Sequence, residues 1–132
     1  MNNRKFDSVM GIGTDIIEIK RIKNAFEKHG QRFLERIFTH DEQNYCFSFK
    51  NPFPYLAARF AAKEAVTKSI GTGINKIISW KDIEITKDIS GKPIVKPSSG
   101  VIKHYGTIRF LLSISHCDTH ATATAIFMSA IF

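Results

Sequence analysis

The pattern of hydrophobic and polar residues changes its period several times along the chain. From Val9 to Ile17, isoleucine and threonine side chains alternate with glycine and aspartate, which predicts a β-strand. Hydrophobic residues then recur at helical spacing from Ile19 to His29, and Gly30 stands where a left-handed residue often ends a helix. We therefore expect a strand that is followed directly by an amphipathic helix.

Two more helices are predicted before the middle of the chain. The sequence Thr39-His-Asp-Glu42 is a capping box, in which a threonine hydroxyl and a glutamate three residues later pair with free amides at a helix start. It predicts a short helix that ends at Phe49, ahead of two prolines. An alanine-rich helix should then run from Pro54 to Ile70 and end at Gly71-Thr-Gly73.

The second half of the chain alternates as β-strands do. Trp80 to Lys87 and Ile94 to Lys96 would form one hairpin, and Thr107 to Ser115 and Ala121 to Ile131 would form another. Strands and helices are grouped along the chain rather than alternating. This order predicts an α+β fold with an N-terminal strand, then helices, then an antiparallel sheet of hairpins.

Length and charge narrow the class of protein. A chain of 132 residues is most economically one domain, which we assign to residues 10–132, with residues 1–9 as a disordered N-terminal extension. Nineteen Lys and Arg against twelve Asp and Glu give a net charge of +7. That excess predicts an anionic partner: a nucleic acid, a phosphorylated small molecule, an acidic protein or a membrane surface.

Targeting signals and cysteine spacing bear on the compartment. No signal peptide and no membrane-spanning run is evident in the sequence. The two cysteines, Cys46 and Cys117, lack metal-ligand spacing and look like semi-buried thiols. We therefore expect a cytoplasmic protein whose thiols are reduced.

Glu64 is an acidic residue on the hydrophobic side of its predicted helix, one turn after Phe60. A carboxylate there needs a metal ion, an ammonium group or hydrogen bonds to compensate its charge. One interpretation is an i,i+4 ion pair with Lys68, worth roughly 0.2–0.5 kcal/mol. Another is that Glu64 and Asp15 hold a hard cation such as Mg²⁺, with Lys68 beside a substrate phosphate. Spacing alone leaves both open, and it also leaves open that Asp15 caps the first helix.

Other polar side chains have two interpretations each. Lys63 and Arg59 point to another part of the same helix, and for Lys63 we favour a solvated cationic face. His116, at the end of a predicted strand, is more often a surface hydrogen-bonding group than a catalyst. The basic residues on and after the first helix have few acids among them, so they form either a solvated face or a docking surface for an acidic partner.

A small basic nucleic-acid-binding module is the alternative from another functional class. Its support is the net charge of +7 and the aromatic content of 11%. Surfaces on which bases stack need Lys or Arg interleaved with aromatic side chains. Since no predicted strand has that pattern, we rank this alternative below an enzyme.

Several motifs follow one another in the order and spacing of a known family. They are Gly11-Ile-Gly13-Thr-Asp15, Lys20-Arg21-Ile22, Arg59-Phe-Ala-Ala-Lys63-Glu64-Ala65-x-x-Lys68, Gly71-Thr-Gly73, Gly91-Lys92-Pro93 and Ser113-x-Ser115-His116. With them the chain resembles the holo-[acyl-carrier-protein] synthases, the small trimeric type of 4′-phosphopantetheinyl transferase. The resemblance covers about residues 10–128.

The resemblance implies a fold, a reaction and a set of site residues. Family members transfer 4′-phosphopantetheine from coenzyme A to a serine of acyl carrier protein and release 3′,5′-ADP. Asp15 and Glu64 would then be ligands of Mg²⁺, and Lys68 would complete the catalytic set by stabilising the departing phosphate. Coenzyme A would contact six positions: Arg59, Lys68, Gly71, Ser90, Pro93 and His116.

The same resemblance implies the partners. The acidic carrier protein would dock on four basic side chains: Arg21, Lys28, Arg32 and Arg36. Family members are homotrimers with active sites between subunits, so we expect three chains to assemble. Neither a nucleic acid nor a membrane span is expected.

Overall fold

The computed structural model describes residues 7–71 and 78–130. Its elements, in chain order, are β1 (Asp7–Glu18), α1 (Ile19–His29), α2 (Gln31–Ile37), α3 (His40–Phe47), α4 (Phe53–Ile70), β2 (Ile83–Lys87), β3 (Pro93–Pro97), α5 (Ser99–Tyr105), β4 (Ile108–His116) and β5 (His120–Ala130). A 3₁₀ turn, Trp80–Asp82, leads into β2. The predicted α+β class and the order of strand, helices and hairpins are confirmed.

Two antiparallel sheets carry the fold. The larger has the strand order β1-β5-β4, so the first strand of the chain pairs with the last, and Asp15 lies opposite Ala123. The smaller is the hairpin of β2 and β3, in which Ile85 lies opposite Val95. Helix α4 packs against β1, β5 and β4, which places this helix at the centre of the molecule.

Gly11 and Gly13 allow α4 to lie directly on β1. A Cβ atom added at Gly11 would collide with the backbone oxygen of Ser69, and one added at Gly13 would collide with that of Ala65. The two backbones therefore touch, which a strand with side chains at these positions could not achieve. As a result, the next inward-facing residue of β1, Asp15, lies beside the last turns of α4.

The alternation predicted for β1 is observed, but two of its isoleucines face outward. Ile12 and Ile16 are each 68% exposed, whereas Gly13 and Ile17 are buried. The glycine face has to receive α4, so the isoleucines are left on the outer face of the sheet. Residues 7–9 belong to β1, and the rest of the predicted N-terminal extension lies outside the described residues.

Helix α4 is hydrophobic on nearly all sides, as a buried helix should be. Seven of its small or aliphatic residues are buried: Leu56, Ala57, Ala58, Ala61, Ala62, Ala65 and Val66. The helix ends at Gly71, whose φ of 91° is the left-handed conformation expected of a terminating glycine. The predicted residues Thr72 and Gly73 lie outside the described residues.

Two helices were not predicted. Helix α2 starts directly after Gly30 and buries Leu34 and Ile37, so the glycine separates two helices instead of ending the helical region. Helix α5 starts after Ser98, whose hydroxyl accepts a hydrogen bond from the amide of Val101. Each has seven residues, which is too short for its own hydrophobic period to stand out in the sequence.

Candidate active site

Asp15 and Lys68 meet where β1 lies against α4. The Lys68 Nζ is 3.0 Å from the Asp15 Oδ1 and also donates to the backbone oxygen of Thr14 at 3.2 Å. The Asp15 side chain is 16% exposed and that of Lys68 is 50% exposed. Among the described residues, the ion pair of Lys68 is thus made with Asp15 and not with Glu64. Asp15 also does not cap α1, because the capping position is Glu18.

Glu64 is the second carboxylate of this cluster and is half-buried. Burial, and then the negative charge of Asp15, raise the pKa of Glu64, while Lys68 opposes the rise. Glu64 lies one turn before Lys68 on α4, so it is on the side of the helix where Lys68 binds Asp15. A perturbed carboxylate beside a second acid is typical of a functional site.

The donor set fits Mg²⁺. Two carboxylates supply the hard oxygen ligands that this ion prefers, and Mg²⁺ commonly takes only one or two carboxylates, with water and substrate phosphates as its other ligands. Within residues 7–71 and 78–130, no cluster of three or more His, Cys, Asp or Glu side chains is suited to a metal. The ion would therefore depend on the substrate to complete its coordination, as Mg²⁺ does in phosphate-transfer enzymes.

A cleft of about 180 Å³ lies on another side of α4. It brings together three of the residues expected to contact coenzyme A, namely Arg59, Pro93 and His116. Gly91 also lines it, and the neighbouring Ser90 is held in the hairpin turn by a hydrogen bond of 2.6 Å to Asp88. The β2–β3 turn, the start of α4 and the end of β4 therefore converge on one cleft.

Arg59 is the buried cation of this cleft. The side chain is only 4% exposed, its Nε has no hydrogen-bond partner among the described residues, and its Cζ lies 3.9 Å from the centre of the Tyr45 ring. The Lys87 Nζ lies over the same ring at 4.8 Å. A buried, unpaired N–H and a second cation at one ring make a site to which a phosphate could bind.

The cluster of Asp15, Glu64 and Lys68 (the Asp15 cluster) and the cleft lined by Arg59 (the Arg59 cleft) lie on different sides of α4. Arg59 and Lys68 are nine positions apart on α4, which places them on roughly opposite sides of the helix and about 13 Å apart along its axis. Lys68 thus belongs with Asp15 and Glu64, whereas Arg59, Pro93 and His116 form the cleft, and Gly71 ends α4 one turn beyond Lys68. The residues expected to bind coenzyme A are divided between two places on one chain.

Lys63 is not solvated, so our preferred interpretation of it was wrong. Its side chain is fully buried; the Nζ lies 2.7 Å from Glu42 Oε1 and donates to the backbone oxygens of Trp80 and Ile83 at 2.9 Å and 2.7 Å. Burial lowers the pKa of Lys63, and the carboxylate of Glu42 opposes that effect. The alanines around it were the available signal, because a helix that is hydrophobic on all sides has no solvated face.

Tyr45 and Lys87 are residues of the cleft that the sequence patterns did not indicate. Tyr45 lies in the capping-box helix α3, which was interpreted only as structure, and Lys87 ends β2. A lysine at the start of the Asp88–Pro93 turn was a weak signal. What brings Tyr45 and Lys87 to Arg59 is the packing of three elements that are far apart in the chain.

The four basic residues predicted to bind a partner are all exposed: Arg21, Lys28, Arg32 and Arg36. The ion pairs found in the described part of the chain involve none of them. Arg32 and Arg36 line a groove of about 210 Å³ together with His29 and Phe33. An acidic helix could therefore meet both unpaired cations and a hydrophobic contact here.

The environments of the two cysteines differ from the expectation. Cys46 is fully buried and Cys117 is exposed, and both are free thiols, so the semi-buried environment expected for them is wrong in both cases. Within the described residues, every helix is too short or too polar to cross a lipid bilayer.

Comparison with known proteins identifies the family. Among relatives, the holo-[acyl-carrier-protein] synthase of Chlamydia caviae is 56% identical over 115 residues (87% of this chain and 93% of that protein), and that of Protochlamydia amoebophila is 52% identical over 120 residues (91% and 98%). The crystal structure of the synthase from Neisseria meningitidis has a TM-score of 0.84 at 37% identity, covering 91% of this chain and 98% of that one. The Bacillus anthracis synthase, solved in complex with CoA (3′,5′-ADP), has a TM-score of 0.79 at 41% identity, covering 92% and 97%. The model of the 4′-phosphopantetheinyl transferase superfamily matches residues 11–125, and the chain belongs to that family.

Proposed function

We propose that this chain is a Mg²⁺-dependent enzyme that transfers 4′-phosphopantetheine from coenzyme A to a serine of acyl carrier protein, the step that makes the carrier competent for fatty acid biosynthesis. The chain belongs to the superfamily that performs this transfer. The observation that supports the detailed proposal is the cluster of Asp15, Glu64 and Lys68 at the contact of β1 and α4.

The reaction needs a base and a cation at the breaking bond. The serine oxygen forms a bond to the phosphorus next to pantetheine, the phosphoanhydride bond breaks, and 3′,5′-ADP leaves with the electron pair. Mg²⁺, held by Asp15 and Glu64, would supply neutralisation of the diphosphate charge. Glu64 would accept the proton of the serine hydroxyl, since a carboxylate placed within reach of a hydroxyl can act as a general base. Lys68, half exposed beside Asp15, stabilises the negative charge of the leaving phosphate.

The Arg59 cleft would bind coenzyme A. Arg59 and Lys87 would pair with phosphate oxygens, and the buried Nε of Arg59 would gain the partner that it lacks within the described residues. Pro93 and His116 would border the nucleotide, and the Gly91 turn allows a close approach because glycine carries no side chain. Ser90 is exposed in the same turn, next to Gly91.

The division of the site favours a shared active site in a homotrimer. Because Arg59 and Lys68 lie on opposite sides of α4, the cleft of one chain would face the Asp15 cluster of the next. The outer face of β1 offers a surface for such contacts, since Val9, Ile12 and Ile16 are each more than 60% exposed. A hydrophobic face of this kind is typical of subunit interfaces.

The carrier protein would dock on the basic surface of α1 and α2. Its four predicted residues, Arg21, Lys28, Arg32 and Arg36, are exposed cations, which attract an acidic helix over a distance and speed encounter. We place this reaction in the cytoplasm, where the free thiols Cys46 and Cys117 stay reduced.

A mass measurement tests the proposal. Purified protein is incubated with coenzyme A, Mg²⁺ and an apo-acyl carrier protein, and the intact mass of the carrier is followed. We expect the carrier to gain one phosphopantetheine group, and we expect EDTA to prevent the gain and added Mg²⁺ to restore it. A carrier of unchanged mass would contradict the proposed reaction, and full activity in EDTA would contradict the metal.

A further inference from the structure

The ion pair between Lys63 and Glu42 takes no part in the proposed chemistry, yet it is completely enclosed. Both side chains are 0% exposed and their charged atoms are 2.7 Å apart. Buried ion pairs are often no more stabilising than well-packed hydrophobic side chains of similar size, because both charges lose their hydration. Stability of the fold alone therefore does not account for this pair.

The remaining hydrogen bonds of the pair are made with the backbone. Lys63 donates to the carbonyl oxygens of Trp80 and Ile83, and Glu42 Oε2 accepts from the amide of Ile85 at 2.9 Å. Glu42 Oε1 also accepts from the amide of Thr39, which completes the capping box of α3. One ion pair thus binds together the start of α3, the middle of α4 and the segment that becomes β2.

The same three elements supply the two cations and the aromatic ring of the Arg59 cleft, namely Arg59, Lys87 and Tyr45. Arg59 precedes Lys63 by one turn of α4, and Tyr45 follows Glu42 by nearly one turn of α3. Lys87 follows Ile85 by two positions in β2 and so lies on the same face of that strand.

The ion pair and the cleft therefore lie next to each other where α3, α4 and β2 meet. Ile85 contacts both. Its amide donates to Glu42, and the residue lines an adjoining cleft of about 270 Å³ with Arg59, Tyr45 and Lys87.

We propose that Lys63 and Glu42 are positioning residues for coenzyme binding. Their ion pair holds α3, α4 and β2 at the separation at which Arg59 and Lys87 meet over the Tyr45 ring. The inference rests on the proposed function, since the anion held by the cleft is taken to be coenzyme A.

The test uses a variant without either charge. Lys63→Met alone leaves the charge of Glu42 buried without a partner, which strongly destabilises the fold. Lys63→Met is therefore combined with Glu42→Gln, which keeps the capping hydrogen bond. Lys81→Met is the matched control. Lys81 lies in the 3₁₀ turn Trp80–Asp82, which Lys63 also contacts, and its ion pair with Glu35, 3.4 Å apart, is exposed. Circular dichroism verifies the fold of each variant.

Two measurements decide the result. We expect the double variant to raise the KM for coenzyme A and the calorimetric Kd for 3′,5′-ADP by about tenfold or more, with kcat within about threefold of the parent, and the control to change neither. A folded double variant with the parent's KM and Kd would overturn the proposal. A loss confined to kcat would also overturn it, because that would place the effect at the neighbouring Glu64.

Failure of the proposed function would look different. If the parent protein binds 3′,5′-ADP but never modifies a carrier, the proposed reaction falls, and the Kd comparison still tests the positioning role. Trp80 adds a local signal, because it is the single tryptophan of the chain, it stacks on Phe60, and its carbonyl binds Lys63. We expect its emission to shift to longer wavelength in the double variant, and an unchanged emission together with an unchanged Kd would count against the proposal.

Discussion

The Lys68 ammonium group lies 3.0 Å from the Asp15 carboxylate, although 53 positions separate the two residues in the chain. The contact exists because two glycines in β1 let α4 touch the strand. The charge of Asp15 is therefore partly compensated by Lys68. Glu64 lies one turn before Lys68 on α4, but among the described residues it forms no ion pair with that lysine. The cluster therefore has one compensated acid and one whose pKa is raised.

Replacement of Glu64 should affect turnover and thermal stability in different directions. Glu64→Gln removes both a metal ligand and the proton acceptor, so we expect turnover to fall by about 10²-fold or more. Without metal, the substitution also removes repulsion from Asp15, so the thermal midpoint should stay the same or rise. Steady-state kinetics with Mg²⁺ measure the first effect, and calorimetry in EDTA measures the second. A variant with full turnover would remove Glu64 from the catalytic set.

The contact of β1 with α4 depends on the absence of a side chain at Gly13. Gly13→Ala would place a methyl group against the backbone oxygen of Ala65, and we expect a loss of about 1–3 kcal/mol of unfolding free energy. Activity should fall as well, because Asp15 moves with the strand. Urea denaturation measures the first effect and the carrier assay the second.

Gly100→Ala is the control for that experiment. A Cβ at Gly100 would lie 3.8 Å from the nearest atom, and the residue is in helix α5, where alanine is preferred over glycine. We expect stability to stay the same or to rise by up to about 1 kcal/mol. Equal losses for Gly13→Ala and Gly100→Ala would show that the close approach at Gly13 is not what limits substitution.

Charge reversal tests the docking surface. Arg21→Glu combined with Lys28→Glu should raise the KM for the carrier several-fold, and the effect should shrink in high salt because exposed charges are screened. The KM for coenzyme A should not change. Lys50→Glu with Lys103→Glu alters the net charge equally at two other exposed positions and should leave the carrier KM near that of the parent. If both pairs raise it alike, net charge and not this surface attracts the carrier.

Glu35 predicts a dependence of stability on acid pH. Hydrogen bonds from Gln31 and then Gln43, with smaller effects of Lys81 and His40, lower the pKa of Glu35 from 4.5 to about 2. A carboxyl group whose pKa is lower in the folded state stabilises the fold above its unfolded pKa, and this contribution is lost as the pH falls through the folded pKa.

The measurement compares the parent with Glu35→Gln in urea at several pH values. The stability difference between them should be constant above about pH 5 and should shrink as the pH falls from 4.5 towards 2. A difference that does not change across this range would show that the Glu35 contacts do not favour the ionised form.

Local sequence rules accounted for most of the elements. The capping box at Thr39 and Glu42 forms as predicted, and so do the hairpin around the Asp88–Pro93 turn and the end of α4 at Gly71. Each depends on hydrogen bonds or backbone angles within a few residues. Helices α2 and α5 were missed because seven residues are too few for a hydrophobic period.

The chemistry of the site was also visible in the sequence, but its arrangement was not. An acid on a hydrophobic helix and a second acid after two glycines suggested a cation site, and the family pattern named the residues. The environment of Lys63 was predicted wrongly, because its partner Glu42 lies 21 positions earlier and no local pattern connects them. The division of the coenzyme residues between two sides of α4 likewise follows from packing.

The sequence by itself thus determined most of the helices and strands and which side chains can carry charge, because propensities, caps and turns act over a few residues. Only the tertiary structure decided that the first strand pairs with the last, that Lys68 binds Asp15, and that Lys63 is enclosed. Those outcomes depend on which surfaces of distant segments are brought into contact. Burial then determines whether a charge is solvated, paired or perturbed.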